Sequence, residues 1–166
     1  MGDIQEMKKQ MDETPPLQIA VVGAASCTAD ETSAAEEAGR RIAEAGAILV
    51  CGGRGGVMEA ACRGAVETGG VAVGILPGDI SGANRFCTVT IPTGLGIARN
   101  AVVVSAAGAV IAVGGAYGTL SEIAMALKLG RPVFGLRSWE IPGVVPCMSA
   151  EEAVIQAVSA AGRGGR

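Results

Sequence analysis

The sequence predicts an α/β fold, a three-layer Rossmann-like sandwich built on a mainly parallel, doubly wound sheet. Three observations carry that reading. Short apolar runs recur along the chain, continuous rather than alternating, as in strands buried on both faces of a parallel sheet. Helical segments separate the runs, which is the order of an α/β domain. The runs end repeatedly in glycine-rich loops, and an open α/β sheet gathers such loops at its carboxyl edge, where ligands bind. With 166 residues the chain can bury one substantial core. A single domain is expected over 17–161, with a flexible N-terminal tail at 1–16 and a flexible C-terminus at 162–166.

Each element has its own local signal. In the N-terminal segment Met7 to Met11 can form a helical turn that Pro15-Pro16 stops. Leu17-Gln-Ile-Ala-Val-Val22 is the first strand and ends in Gly23-Ala-Ala-Ser26. Thr28 and Glu31 have the spacing of a capping box and start a helix to about Ala45. Its apolar face is read as Ala34, Ala38, Ile42 and Ala45, and its outer face carries the pairs Glu36–Arg40 and Glu37–Arg41. Ala47-Ile-Leu-Val-Cys51 is the second strand, followed by Gly52-Gly-Arg-Gly-Gly56 and a helix over 57–68. Val71-Ala-Val-Gly-Ile-Leu76 is the third strand, 79–86 a loop, and Cys87-Thr-Val-Thr-Ile91 a short fourth strand. A helix from Arg99 to about Ala107 precedes the strand Val110-Ile-Ala-Val113. The next helix runs to Leu129, with Gly130 as its C-terminal cap and Pro132 just beyond. Pro132-Val-Phe-Gly-Leu136 is a further strand, and Ser149 and Glu152 form a second capping box for the last helix.

Composition removes several classes of function. Hydrophobic residues make up 49% and aromatics only 2%, with 26 glycines, which describes a small-residue core with many tight turns. The formal charge is −3 without a basic cluster, so nucleic acid is not an expected partner. Residues 1–16 lack the apolar stretch of a signal peptide, and glycine breaks every apolar run short of a membrane span, so a cytoplasmic protein is expected. There is no histidine, and the five cysteines include no Cys-x-x-Cys pair, which argues against a zinc site, a disulfide framework and a Ser-His or Cys-His nucleophile. No metal ligands are assigned. The remaining chemistry rests on carboxylates, arginines and backbone.

The segment Val110 to Glu122 concentrates that chemistry. A buried strand turns through Gly114, Gly115 and Gly118 into a helix whose first turn is read to hold Thr119 and Glu122. The first amides of a helix have no partner within it and make a ready anion site. Gly52-Gly-Arg-Gly-Gly56 occupies a similar turn; it either cradles a phosphate or is a tight turn without a ligand. It has neither the dinucleotide glycine spacing nor the Lys-Ser/Thr of a Walker loop. Arg99 is either a solvated arginine or half of a phosphate clamp with Glu122 as an acid/base group beside it. Glu122 has a structural alternative too, satisfying the positive end of its helix. Cys27 and Cys51 are either reactive thiols or small buried hydrophobes. Asp79 and Arg85 sit in the one long loop, as a cover for the pocket or as solvated charges. The pocket wall is expected mostly from 77–93.

Gly115-Ala-Tyr-Gly-Thr-Leu-Ser-Glu122 resembles the Pro-Gly-Gly-x-Gly-Thr-x-x-Glu signature of the LOG family, nucleoside 5′-monophosphate phosphoribohydrolases often labelled lysine decarboxylase-like. Gly52-Gly-Arg-Gly-Gly-Val-Met58 resembles that family's first glycine motif, Gly-Gly-Gly-x-x-Gly-Leu-Met, and the likeness spans about 17–136. The resemblance implies Arg99 and Glu122 as catalytic residues. Gly114 stands in place of the signature proline, the first glycine motif is one residue short, and Arg99 is preceded by Gly96-Ile-Ala rather than a histidine-containing sequence.

Ile75-Leu-Pro-Gly78 and the run from Thr93 to Asn100 are more similar to the molybdenum cofactor carrier proteins of the same SLOG superfamily. That likeness implies a cytosolic homo-oligomer, a dimer or tetramer, that binds a phosphorylated pterin and shields it without turnover. The ligand-binding set is Gly23, Ser26, Gly52, Gly53, Gly55, Gly56, Gly115, Tyr117, Gly118 and Thr119, with Arg99 supplying charge. No cofactor is required; the expected partner is a small phosphorylated ligand, a molybdenum cofactor or a nucleoside monophosphate. The nearly continuous apolar stretch 97–107 is explained by an interface between copies or by complete burial within one chain.

Overall fold

The computed structural model describes residues 15–164. The turn over Met7 to Met11, most of the N-terminal tail, Gly165 and Arg166 lie outside the described residues. Seven strands form one sheet: β1 (Gln18–Gly23), β2 (Ile48–Cys51), β3 (Ala72–Leu76), β4 (Val89–Pro92), β5 (Ala109–Val113), β6 (Val133–Leu136) and β7 (Val144–Pro146). Their order is β4-β3-β2-β1-β5-β6-β7, and every pairing is parallel. Five helices cover it: α1 (Ala29–Glu44), α2 (Val57–Glu67), α3 (Arg99–Ser105), α4 (Tyr117–Lys128) and α5 (Ala150–Gly164). The last helix therefore continues three residues past Ala161.

The central strands are apolar on both faces, which is why they read as runs. Ile19, Val21 and Ile111 point into one core with α1, α2 and α5, while Ala20, Val22, Val110 and Ala112 point into the other with α3 and α4. The sheet is thus doubly covered, the arrangement that all-parallel sheets require. From β1 the chain winds outward through β2 and β3 to β4; α3 then carries it back to β5, on the other side of β1. The winding reverses between β1 and β5. In such a sheet a crevice opens there, outside the carboxyl ends of the strands.

The edge strand β7 is absent from the sequence reading. It has three residues, ends in Pro146 and follows Pro142-Gly143, a pattern tolerated only at an edge, where one side of the backbone needs no ladder bond.

Two details of α1 also differ from expectation. Its buried residues are Ala35, Ala38, Gly39 and Ile42, while Ala34 is half-buried and Ala45 is exposed as the C-terminal cap. The shift follows from Gly39, on which α2 packs: a Cβ there would meet the Ala61 carbonyl oxygen at 1.9 Å. Glu36 consequently pairs across this contact, accepting from Arg63 Nε at 3.1 Å, and Arg40 joins Arg41 at Glu37. The capping box at Thr28 and Glu31 is complete. At the last helix Ser149 caps the Glu152 amide at 3.1 Å, but the Glu152 carboxylate takes the Met148 amide rather than that of Ser149. No helix among the described residues is long and apolar enough to cross a membrane.

Candidate ligand-binding site

Three loops leave the carboxyl edge beside the switch point: Gly23–Thr28 after β1, 52–56 after β2 and 114–116 after β5. With the start of α3 they enclose a cleft of about 660 Å³, within the range of small-molecule sites. Its lining includes Gly23, Ser26, Arg54, Arg99, Asn100, Gly118, Thr119 and Glu122.

Arg99 is the first residue of α3, where the chain returns across the sheet. Its side chain is only 7% exposed, and its Nε has no hydrogen-bond partner in the protein. The guanidinium lies over the end of β2, in space that exists because residue 52 is glycine. A Cβ at Gly52 would meet Arg99 Nη1 at 2.1 Å and Met58 Sδ at 2.7 Å. Burial works against the charge on Arg99, as does neighbouring Arg54, while Glu122 favours it. A buried cation with an unpaired donor is costly unless an anion completes it.

Glu122 faces the same cleft and is 6% exposed. Burial pushes its carboxyl up to about 7, and the Arg99 charge only partly opposes this. A carboxyl raised into this range can serve as an acid or a base. Glu122 does not lie in the first turn of its helix. The helix begins at Tyr117, so Glu122 sits in the second turn, and satisfying the helix end falls to other groups. No side chain caps this helix, and Thr119 Oγ1 is buried without a partner. Uncapped amides, an unpaired hydroxyl and two arginines converge on one cleft. That is an arrangement for binding an anion.

Asn100 ties the parts together. Its amide donates to Ser121 Oγ at 3.1 Å, and Ser121 donates to the Gly118 carbonyl at 2.6 Å. The start of α3 is thereby linked to the start of α4. Gly114, at the place of the signature proline, has φ +54, a conformation closed to a proline ring. Its carbonyl accepts from Ser138 Oγ at 2.6 Å.

Of the residues singled out in the sequence, Gly23, Ser26, Arg99, Gly118, Thr119 and Glu122 meet at the cleft. Gly52 and Gly53 are buried behind it, and Gly55, Gly56 and Gly115 shape the loops without lining it. Tyr117 is 83% exposed and stacks on Trp139 at 6.4 Å between ring centroids. Of 77–93, expected to form most of the wall, only Pro77 lines the cleft; Asp79 borders a separate cavity of about 190 Å³, and Arg85 lies over the Phe86 ring. Arg54, Met58, Ile97 and Asn100 are lining residues that the sequence reading did not select. Arg54 was visible as the one charge in a glycine loop, and Asn100 as the polar neighbour of Arg99 in an apolar helix.

The profile of the SLOG cluster4 family matches residues 16–162. This chain belongs to the SLOG cluster4 family. A relative in Archaeoglobus fulgidus, an uncharacterized protein, is 43% identical over 143 residues, covering 86% of this chain and 93% of its own. Among solved structures, the molybdenum cofactor binding protein from the phototrophic bacterium Rippkaea orientalis superposes with a TM-score of 0.84 at 34% identity, covering 89% of this chain and 98% of that one. The Moco carrier protein from Chlamydomonas reinhardtii gives 0.82 at 31% identity, over 90% and 99%. The SLOG cluster4 fold thus places its switch-point cleft on a backbone shared with molybdenum cofactor carriers.

Proposed function

We propose that this SLOG cluster4 protein binds a small phosphorylated ligand and that its ligand is a molybdenum cofactor, a phosphorylated pterin. The observation that carries this reading is Arg99, a buried guanidinium with an unpaired Nε in a cleft that also holds the uncapped start of α4. A phosphate there satisfies the unpaired donors on Arg99 and Thr119, and Arg54 adds charge at the rim. Likeness to the Rippkaea and Chlamydomonas proteins over nearly their full lengths supports the pterin over other phosphorylated ligands.

A second reading has its own observation. Glu122, with its carboxyl near 7, suits a nucleoside 5′-monophosphate phosphoribohydrolase, in which a carboxylate beside the ribose stabilises an oxocarbenium-like transition state or activates water. Calorimetric titration with a phosphorylated pterin, beside a chromatographic assay for free base from nucleoside 5′-monophosphates, separates the two. Saturable pterin binding with no base release, in wild type and Glu122→Gln alike, is the expected result. Base release that disappears in Glu122→Gln makes the protein a hydrolase. No binding of any phosphorylated pterin or nucleotide overturns both.

Copies of this chain associate, in the same proposal, through the α3 side of the molecule. Val103, Val104 and Ala107 are buried in the monomer, but Leu95, Ile97 and Val102 remain 51%, 77% and 37% exposed, so burial within one chain does not account for the apolar stretch.

A further inference from the structure

The cleft holds a polar group that an ionised phosphate cannot satisfy. Asn100 is the second residue of α3 and lines the cleft at 7% exposure. A short chain of hydrogen bonds fixes which way round its side-chain amide sits. The Gly118 carbonyl can only accept, so the Ser121 hydroxyl spends its one proton there, at 2.6 Å. Ser121 Oγ is then an acceptor toward Asn100, at 3.1 Å, and only the nitrogen of the amide can donate to it. An amide turned the other way would set Asn100 Oδ1 against an oxygen with no proton to give.

Oδ1 therefore faces away from Ser121, on a residue that lines the cleft, and among the described residues no group donates to it. The polar groups around it are of the opposite kind. Arg99, Arg54 and the first amides of α4 are donors, and the Thr119 hydroxyl can donate. An ionised phosphate accepts from all of them and offers nothing to Oδ1. Glu122 is another acceptor lining the cleft, but its charged form repels an anion, whereas Asn100 is neutral at every pH. An acceptor on a side chain this deeply buried is costly to leave without a donor.

We propose that Asn100 is a specificity-determining residue, its Oδ1 accepting a hydrogen bond from an N–H or O–H group on the organic part of the phosphorylated ligand. The inference rests on the reading of the cleft as a phosphate site and adds what the phosphate is attached to. Ligands suited to the cleft are phosphate monoesters with a donor close to the ester oxygen: a ring N–H in a pterin, a hydroxyl in a sugar. An ester without a donor leaves Oδ1 shielded from water and unpaired, and that cost discriminates against it. Ser121 acts through Asn100 as a positioning residue and needs no contact with the ligand.

The test is calorimetric titration of the full chain with pterin-6-ylmethyl phosphate, ribose 5-phosphate and ethyl phosphate, whose organic part has no donor. Asn100→Ala is expected to weaken binding of the pterin phosphate, the sugar phosphate or both by about three- to tenfold, and to leave ethyl phosphate unchanged. Which of the two loses affinity tells a ring N–H from a sugar O–H. Asn100→Asp presents an oxygen to the cleft whichever way it turns. It is expected to bind all three probes more weakly through its charge, yet to keep the wild-type preference over ethyl phosphate. Equal loss for all three in Asn100→Ala would make Asn100 only a link between α3 and α4 and overturn the proposal. So would a wild type without that preference, or its loss in Asn100→Asp, and both measurements stand even where Asn100→Ala does not fold. Where ethyl phosphate binds the wild type and the preference is missing, this inference alone fails; where none of the three binds, the phosphate reading fails with it.

Discussion

Glu122 shows how burying a single carboxyl in the cleft costs stability. Its carboxyl sits near 7 in the folded protein against 4.5 for a free carboxyl, because burial disfavours the charged form. The folded chain therefore holds this proton more tightly than the unfolded chain. Stability from this group is present at acid pH and is lost as pH rises from the free value through about 7. Glu122→Gln removes the titration, so its melting temperature is expected to rise relative to wild type between about pH 5 and pH 8, with a ceiling on the order of 3 kcal/mol. Parallel melting curves across that interval would mean that Glu122 titrates like an ordinary surface carboxylate. Arg99 and Glu122 were both legible as candidates in the sequence, since a lone charge in an apolar or glycine-rich stretch is conspicuous. Their burial was not legible, because what covers them comes from loops more than 40 residues apart, such as 23–26 and 116–119.

At the scale of elements, the contact between α1 and α2 is set by glycine. Gly39 and Gly64 let the two helices meet backbone to backbone: a Cβ at Gly39 would meet the Ala61 carbonyl at 1.9 Å, and one at Gly64 the Glu36 carbonyl at 2.0 Å. Neither obstacle is a flexible side chain, so the helices must separate to admit a methyl group. Gly39→Ala is expected to destabilise the protein by about 1–3 kcal/mol, despite alanine's higher helix propensity. Gly78→Ala, with open space at its Cβ, serves as the control. Thermal denaturation of the two variants checks this; equal melting temperatures would refute the close contact. Capping boxes and continuous apolar runs made most elements readable, since those signals are local. The pairing partner of Glu36 and the existence of β7 were not, because a cross-helix ion pair and an edge strand depend on what lies beside them.

For the molecule as a whole, the all-parallel sheet leaves an apolar surface on the α3 side that one copy does not cover. Association through that face predicts a solution mass by light scattering that is a multiple of the single chain's. Val102→Asp, at an exposed position of α3, is expected to reduce the mass to one chain while leaving the circular dichroism spectrum intact. A monomeric wild type would overturn the association. The sequence by itself determined the layer order, the parallel sheet and the glycine loops at its carboxyl edge, because hydrophobic periodicity and turn chemistry are written in neighbouring residues. Only the tertiary structure decided which of those loops line one cleft and that Arg99 and Thr119 keep unpaired polar atoms inside it. It alone also brought the Cys51 and Cys62 sulfurs within 3.4 Å of each other. Burial and unpaired donors are properties of a site's surroundings, and the chain assembles those surroundings from both sides of the β1–β5 switch point.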